Sequence, residues 1–170
     1  AGGHKDMDPV PAGVHDAVCY MIVDVGTAWD ERFKKDKHEV AIGWEIPGER
    51  IEIERDGVAT DVPRVISKLY TLNLGDKANL RKDLEAWRGK PFTPDELQGF
   101  DLQKVLGVSC MLQVMHKQSG QRTFANVTNI MPSRAKVKGE MEPIWFSMEE
   151  GAAVPLNVPA WLKKKIEESK

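Results

Sequence analysis

Between Gly26 and His38 the chain carries Trp29, Arg32, Phe33, Lys34, Lys35 and Lys37, two rings interleaved with four cations. Cations neutralise phosphates, and flat rings give unpaired bases a surface worth about 1–3 kcal/mol per stacked base, so this composition suits contact with a single nucleic-acid strand. Asp30, Glu31 and Asp36 dilute the charge. A solvated loop with one ring tucked back onto the body is the competing reading.

Two other stretches have the same chemistry on a smaller scale. Arg64, Lys68 and Tyr70 fall in one apolar-alternating run, and the parity of a strand puts Lys68 and Tyr70 on one face. Ile66, Leu72 and Leu74 share that parity, so Tyr70 is either an exposed platform or a core ring with Lys68 at the rim. Lys117 and Arg122 flank a turn at Gly120, with His116 and Phe124 beside them; a plain polar hairpin tip is the alternative. Trp44 lies on the apolar side of its strand and is expected in the core.

Catalytic frames are missing from the sequence. It contains no glycine loop ending in Gly-Lys-Ser/Thr, no Gly-x-Ser-x-Gly, no His-Glu-x-x-His and no Cys-x-x-Cys. His4, His15, His38 and His116 are scattered, so no metal or other cofactor is expected and the chain reads as non-enzymatic. Cys19 and Cys110 sit inside apolar runs and read as buried thiols rather than a disulfide framework.

The elements that must carry these residues follow from periodicity. Residues 14–25, VHDAVCYMIVDV, suit one long strand, apolar on both faces, bent and central in its sheet. His38 to Ile46 alternates as a half-buried strand that Pro47-Gly48 stops, and residues 49–64 form either a hairpin at Asp56-Gly57 or a long loop. Val65 to Leu74 makes a third strand. Leu80, Leu84 and Trp87 stand at helical spacing, with Asp76 as expected N-cap and Gly89 as C′ residue; Thr93-Pro94 starts a second short helix. Two more strands, 108–115 and 123–131, follow.

Three strands, a helix and two strands is the element order of an OB barrel. The expectation is a mainly β chain: an OB-like five-stranded barrel over residues 13–132 that carries one or two helices, one of them between strands 3 and 4. A flexible N-terminal arm, 1–12, precedes it. A linker and C-terminal amphipathic helix, 133–170, with Pro159 at the helix start, follow it.

With 24 Lys+Arg against 26 Asp+Glu the formal charge is −2, so no global field draws the chain to a polyanion, and binding must come from local patches. Residues 13–138 hold 19 basic and 18 acidic side chains, the flanks 5 and 8, so the surplus acid lies in the arms. No stretch reaches the roughly 20 apolar residues of a membrane span and the opening residues lack a signal-peptide core, so a cytoplasmic protein with no membrane partner is expected.

The segment LRKDLEAWRGKPFTPDELQGFDLQKVLGVSC, Leu80 to Cys110, together with GVHDAVCYMIVDVGT, AIGWEI, SKLYTLNL and FANVTNIMP, resembles small proteins from the replication and recombination regions of tailed bacteriophages, of OB-fold single-stranded DNA-binding type. The resemblance spans about residues 11–132. It implies a barrel that coats single strands in the bacterial host cell without sequence preference. One departure is the end of the chain: bacterial-type single-strand binders often finish in an acidic, partner-recruiting tail, whereas this chain has Lys163-Lys164-Lys165. The helix around Trp161 instead becomes a candidate for docking on a neighbouring subunit, as a homo-oligomer, or on a phage or host replication or recombination protein. A protein-interaction factor working through that arm is the second functional expectation, and a hydrolase the third.

Overall fold

The structure, a computed structural model, describes residues 9–134, 136–147, 154–155 and 157–169. β1 (Gly13–Asp30) is apolar on both faces because it is covered on both. It pairs antiparallel with β2 (Lys35–Arg55) along one edge. Its other edge is shared: residues Gly13 to Val18 pair with β4 (Ser109–Ser119), and where β4 diverges, Met21 to Val23 pair in parallel with β6 (Ile144–Phe146). A register shift between Cys19 and Met21 bends β1 at this handover.

β3 (Val58–Thr71) pairs with β2, and β5 (Arg122–Pro132) with β4, giving the path β3-β2-β1-β4-β5 with β6 beside β1. Among the described residues, β3 and β5 at the ends of this path are not hydrogen-bonded to each other, so the sheet is not closed into a barrel. The expected mainly β fold is present, with six strands rather than five and an open path rather than a closed ring. Among the described residues three α-helices accompany it, α1 (Asn79–Arg88), α2 (Pro94–Gln98) and α3 (Ala160–Glu167), at the three places the sequence marks.

β2 does not stop at Pro47-Gly48. Its register with β3 shifts between Ile46 and Arg50, and pairing then resumes to Arg55. The proline is accommodated because the interruption leaves it outside the regular ladder. Asp56 and Gly57 take φ values of 53° and 78°, the two left-handed positions of a tight two-residue hairpin turn, which closes the long β2–β3 ribbon.

The inner core joins Ile42, Trp44, Ile46, Leu112, Val114 and Ile130 to Leu80, Leu84 and Trp87 on α1. Trp44 is fully buried, its ring centroid 6.0 Å from that of Trp87. Cys19 and Cys110 are free buried thiols, and burial raises both, Cys19 to about 12. α1 ends as expected at Gly89, φ 74°, but begins after Ala78 without a side-chain cap, because Asp76 accepts a hydrogen bond from Arg81 instead.

A second core lies on the opposite face of β1 and β2. Tyr20, Met21, Val23, Val25 and Ala41 pack there against Ile144, Phe146, Val158 and Leu162. The alternation of β2 therefore does not mark a half-buried strand. Ala41 is buried, and Glu45, 1% exposed, accepts hydrogen bonds from the backbone N–H groups of Glu140 (2.6 Å) and Met141 (3.1 Å). Arg50 reinforces this attachment by bridging Asp61 and Glu140. Residues 1–8 of the expected N-terminal arm lie outside the described residues; Val10 is buried, and its carbonyl meets His116 Nε2 at 2.8 Å.

α2 starts in the expected way. Thr93 Oγ1 accepts from Glu96 N and the Glu96 carboxylate accepts from Thr93 N, a reciprocal capping box, with Pro94 in the first turn. The Thr93 N–H, followed by the Arg88 guanidinium, holds the Glu96 carboxyl down from 4.5 to about 2. A depressed folded-state value stabilises the fold fully above about 4.5, a contribution that fades as pH falls through about 2. The thermal midpoint should fall over that window by less in Glu96→Gln than in the unmodified chain; parallel pH profiles would contradict it.

Candidate nucleic-acid interface

Two hairpins carry the ring-and-cation residues, and their registers decide which side chains share a surface. In the β1–β2 hairpin Trp29 stands opposite Asp36 and Thr27 opposite His38, whereas Asp30 stands opposite Lys35 and Ala28 opposite Lys37. Partners in a ladder share a face and neighbours along a strand do not. Trp29, 48% exposed, therefore lies on one face of the ribbon and Lys35 and Lys37 on the other. The expected cluster of six residues is split.

At the tip, Asp30 Oδ1 accepts from the N–H groups of Arg32 (2.9 Å) and Phe33 (3.3 Å), which tightens the four-residue turn. Arg32 sits 5.3 Å from the centre of the exposed Phe33 ring. Lys34, left-handed at φ 55°, pairs with Glu31, and Lys37 lies 3.7 Å from Glu39, which Lys165 of α3 also approaches. The exposed Lys34–Glu31 pair exchanges readily for a phosphate, since such pairs are worth at most about 1 kcal/mol. Behind the tip, His38 Nε2 meets Asp24 Oδ1 at 2.7 Å, fixing the base of the ribbon.

The β4–β5 hairpin is better ordered for binding. Met115 stands opposite Asn126, Lys117 opposite Phe124 and Ser119 opposite Arg122, so Met115, Lys117, Phe124 and Arg122 all share one face. Met115 and Phe124 are 52% and 44% exposed. Val14, opposite Gln113, extends this face onto β1. Met115 was not singled out from the sequence, although the period-2 alternation from Met111 to Lys117 carries the signal. His116 points to the other face.

The third group is a correction. Tyr70 is 2% exposed and donates to Asp83 Oδ2 at 2.5 Å, and Lys68 donates to the same oxygen at 2.9 Å. Burial and the Asp83 carboxylate push the phenol well above its ordinary range. Both residues fasten α1 to β3, and the Tyr70 ring offers no face to a base. Arg64 is half-buried opposite Ile46, beside an apolar groove floored by Ile51, Ile53 and Val62. The structure thus separates the predicted residues into two hairpin surfaces and one helix anchor.

Comparison of the chain with protein-family models, with curated proteins and with solved structures finds no match. No helix among the described residues is long and apolar enough to cross a membrane.

Proposed function

We propose that this chain is a non-enzymatic, sequence-tolerant single-stranded DNA-binding protein of OB-like design, acting in bacteriophage DNA replication or recombination. The observation that carries the reading is the β4–β5 face, where an exposed ring, a methionine and two cations share one surface, with a second exposed ring pair, Trp29 and Phe33, on the β1–β2 hairpin. These are the turns after the first and fourth strands, the loops that bind oligonucleotides in OB folds. An OB barrel is five-stranded and partly open. A path ending in β3 and β5, with α1 inserted between β3 and β4, supports that design.

Titration of tryptophan fluorescence with oligo-dT at low salt tests the reading. Of the five tryptophans Trp44 and Trp87 are buried and Trp145 is half-buried, so in a Trp145→Phe/Trp161→Ala background quenching reports chiefly on Trp29. Quenching is expected, with affinity falling by about 0.7 log units per log unit of salt for each phosphate engaged. No quenching at low salt would sink the proposal. The formal charge of −2 makes this binding weaker than that of a basic protein.

A second reading rests on α3. Leu162 is buried against the body while Trp161, its neighbour, is 46% exposed, which leaves a ring outward for a phage or host replication protein. Under that reading Trp161→Ala abolishes binding of such a partner and leaves oligo-dT affinity unchanged.

A further inference from the structure

The end of β4 remote from its hairpin opens on a cleft of about 480 Å³, within the roughly 300–1,000 Å³ typical of ligand sites. Arg88, Ser109, Arg134 and Lys136 line it, with Trp87 and Val105 as apolar wall. Arg88 is held from two sides: Nη2 donates to both Glu96 oxygens (2.8 and 3.0 Å), and the guanidinium lies 4.4 Å from the Phe92 ring centre. Its Nη1 is buried and has no hydrogen-bond partner among the described residues. A buried guanidinium N–H without an acceptor is costly, and its natural complement is an anionic oxygen.

Arg134 reaches Asp16 at 3.1 Å, and Lys136 has no ion-pair partner among the described residues. Three cations against two carboxylates leave the cleft positive. The Trp87 ring is buried, its Nε1 donating to Ser109 O at 3.0 Å, so it offers a base no stacking face. The site suits a phosphate, not a base.

We propose that this cleft holds a phosphodiester of the single strand whose bases lie on the hairpin rings, so that the strand follows the length of β4. The inference rests on the single-strand reading above and adds a path to it. Ser109 to Ser119 spans about 34 Å of strand, so only the longer oligonucleotides reach both ends.

The test is an oligo-dT series across the about 4–16 nucleotides one such module covers, with the unmodified chain and the double variant Arg134→Ala/Lys136→Ala. Both residues are exposed, so the variant keeps the fold, which its thermal midpoint checks. For long oligonucleotides the variant's salt slope is expected to fall by about 0.7, the share of the one phosphate it releases, so a rise from about 50 to 200 mM salt costs it about 2.6-fold less affinity. Short oligonucleotides should bind both proteins alike. Equal slopes and affinities at every length overturn this inference alone; an unmodified chain that binds no oligonucleotide overturns it together with the reading beneath it.

Discussion

Replacing Trp29 and Phe124 together by alanine is expected to weaken oligo-dT binding by about 30-fold to 20,000-fold, since each stacked base contributes about 1–3 kcal/mol and 1.4 kcal/mol is a factor of ten. The two rings sit on different hairpins, so their losses should add. Fluorescence anisotropy of a labelled oligonucleotide reads the effect without relying on tryptophan. The rings are 48% and 44% exposed, so the variant should unfold near the temperature of the unmodified chain. Affinity within threefold of the original would remove the rings from the binding surface. Tyr70→Phe is the informative contrast: it removes the donor to Asp83 and should lower stability with little change in DNA affinity.

Leu162→Ala should have the largest effect on stability. Leu162 is 0% exposed and closes the second core against Tyr20, Met21, Val23 and Ala41. Truncating a buried leucine costs about 2–5 kcal/mol, and at this chain length each kcal/mol lowers the thermal midpoint by about 2–4 °C. A fall of about 4–20 °C by calorimetry is expected, against almost none for the adjacent Trp161→Ala. A change under about 1 °C would mean that α3 merely rests on the body. The same packing shapes any truncation experiment, because removing residues 139–170 uncovers the outer face of β1 as well as taking away Trp161.

The parts of this fold legible in the sequence are those fixed by local physics. β1 announces a doubly covered strand through its unbroken apolar run. Leu80, Leu84 and Trp87 mark the inward face of α1, and Thr93-Pro94-Asp95-Glu96 starts α2 by satisfying its own amides. What escaped depends on partners distant in sequence. Glu45 reads as an outward charge because nothing near it shows that two amides 95 and 96 positions later will bind its carboxylate. Ile144 to Phe146 is too short to show a period and gains strand character only beside β1. For the site, the density of rings and cations between Trp29 and Lys37 was visible, but not their division. A four-residue turn sets the register, and the register puts Trp29 and Lys35 on opposite faces.

The pairing of β6 with β1 also sets an order of events at the ribosome. Met21 meets Ile144, a partner made 123 residues later, so at about 5–20 residues per second the nascent chain spends about 6–25 s with that edge and the outer face of β1 uncovered. The inner core, whose elements end at Pro132, is translated before the outer one, which gives a newly made chain an interval of exposed apolar surface that the finished protein lacks.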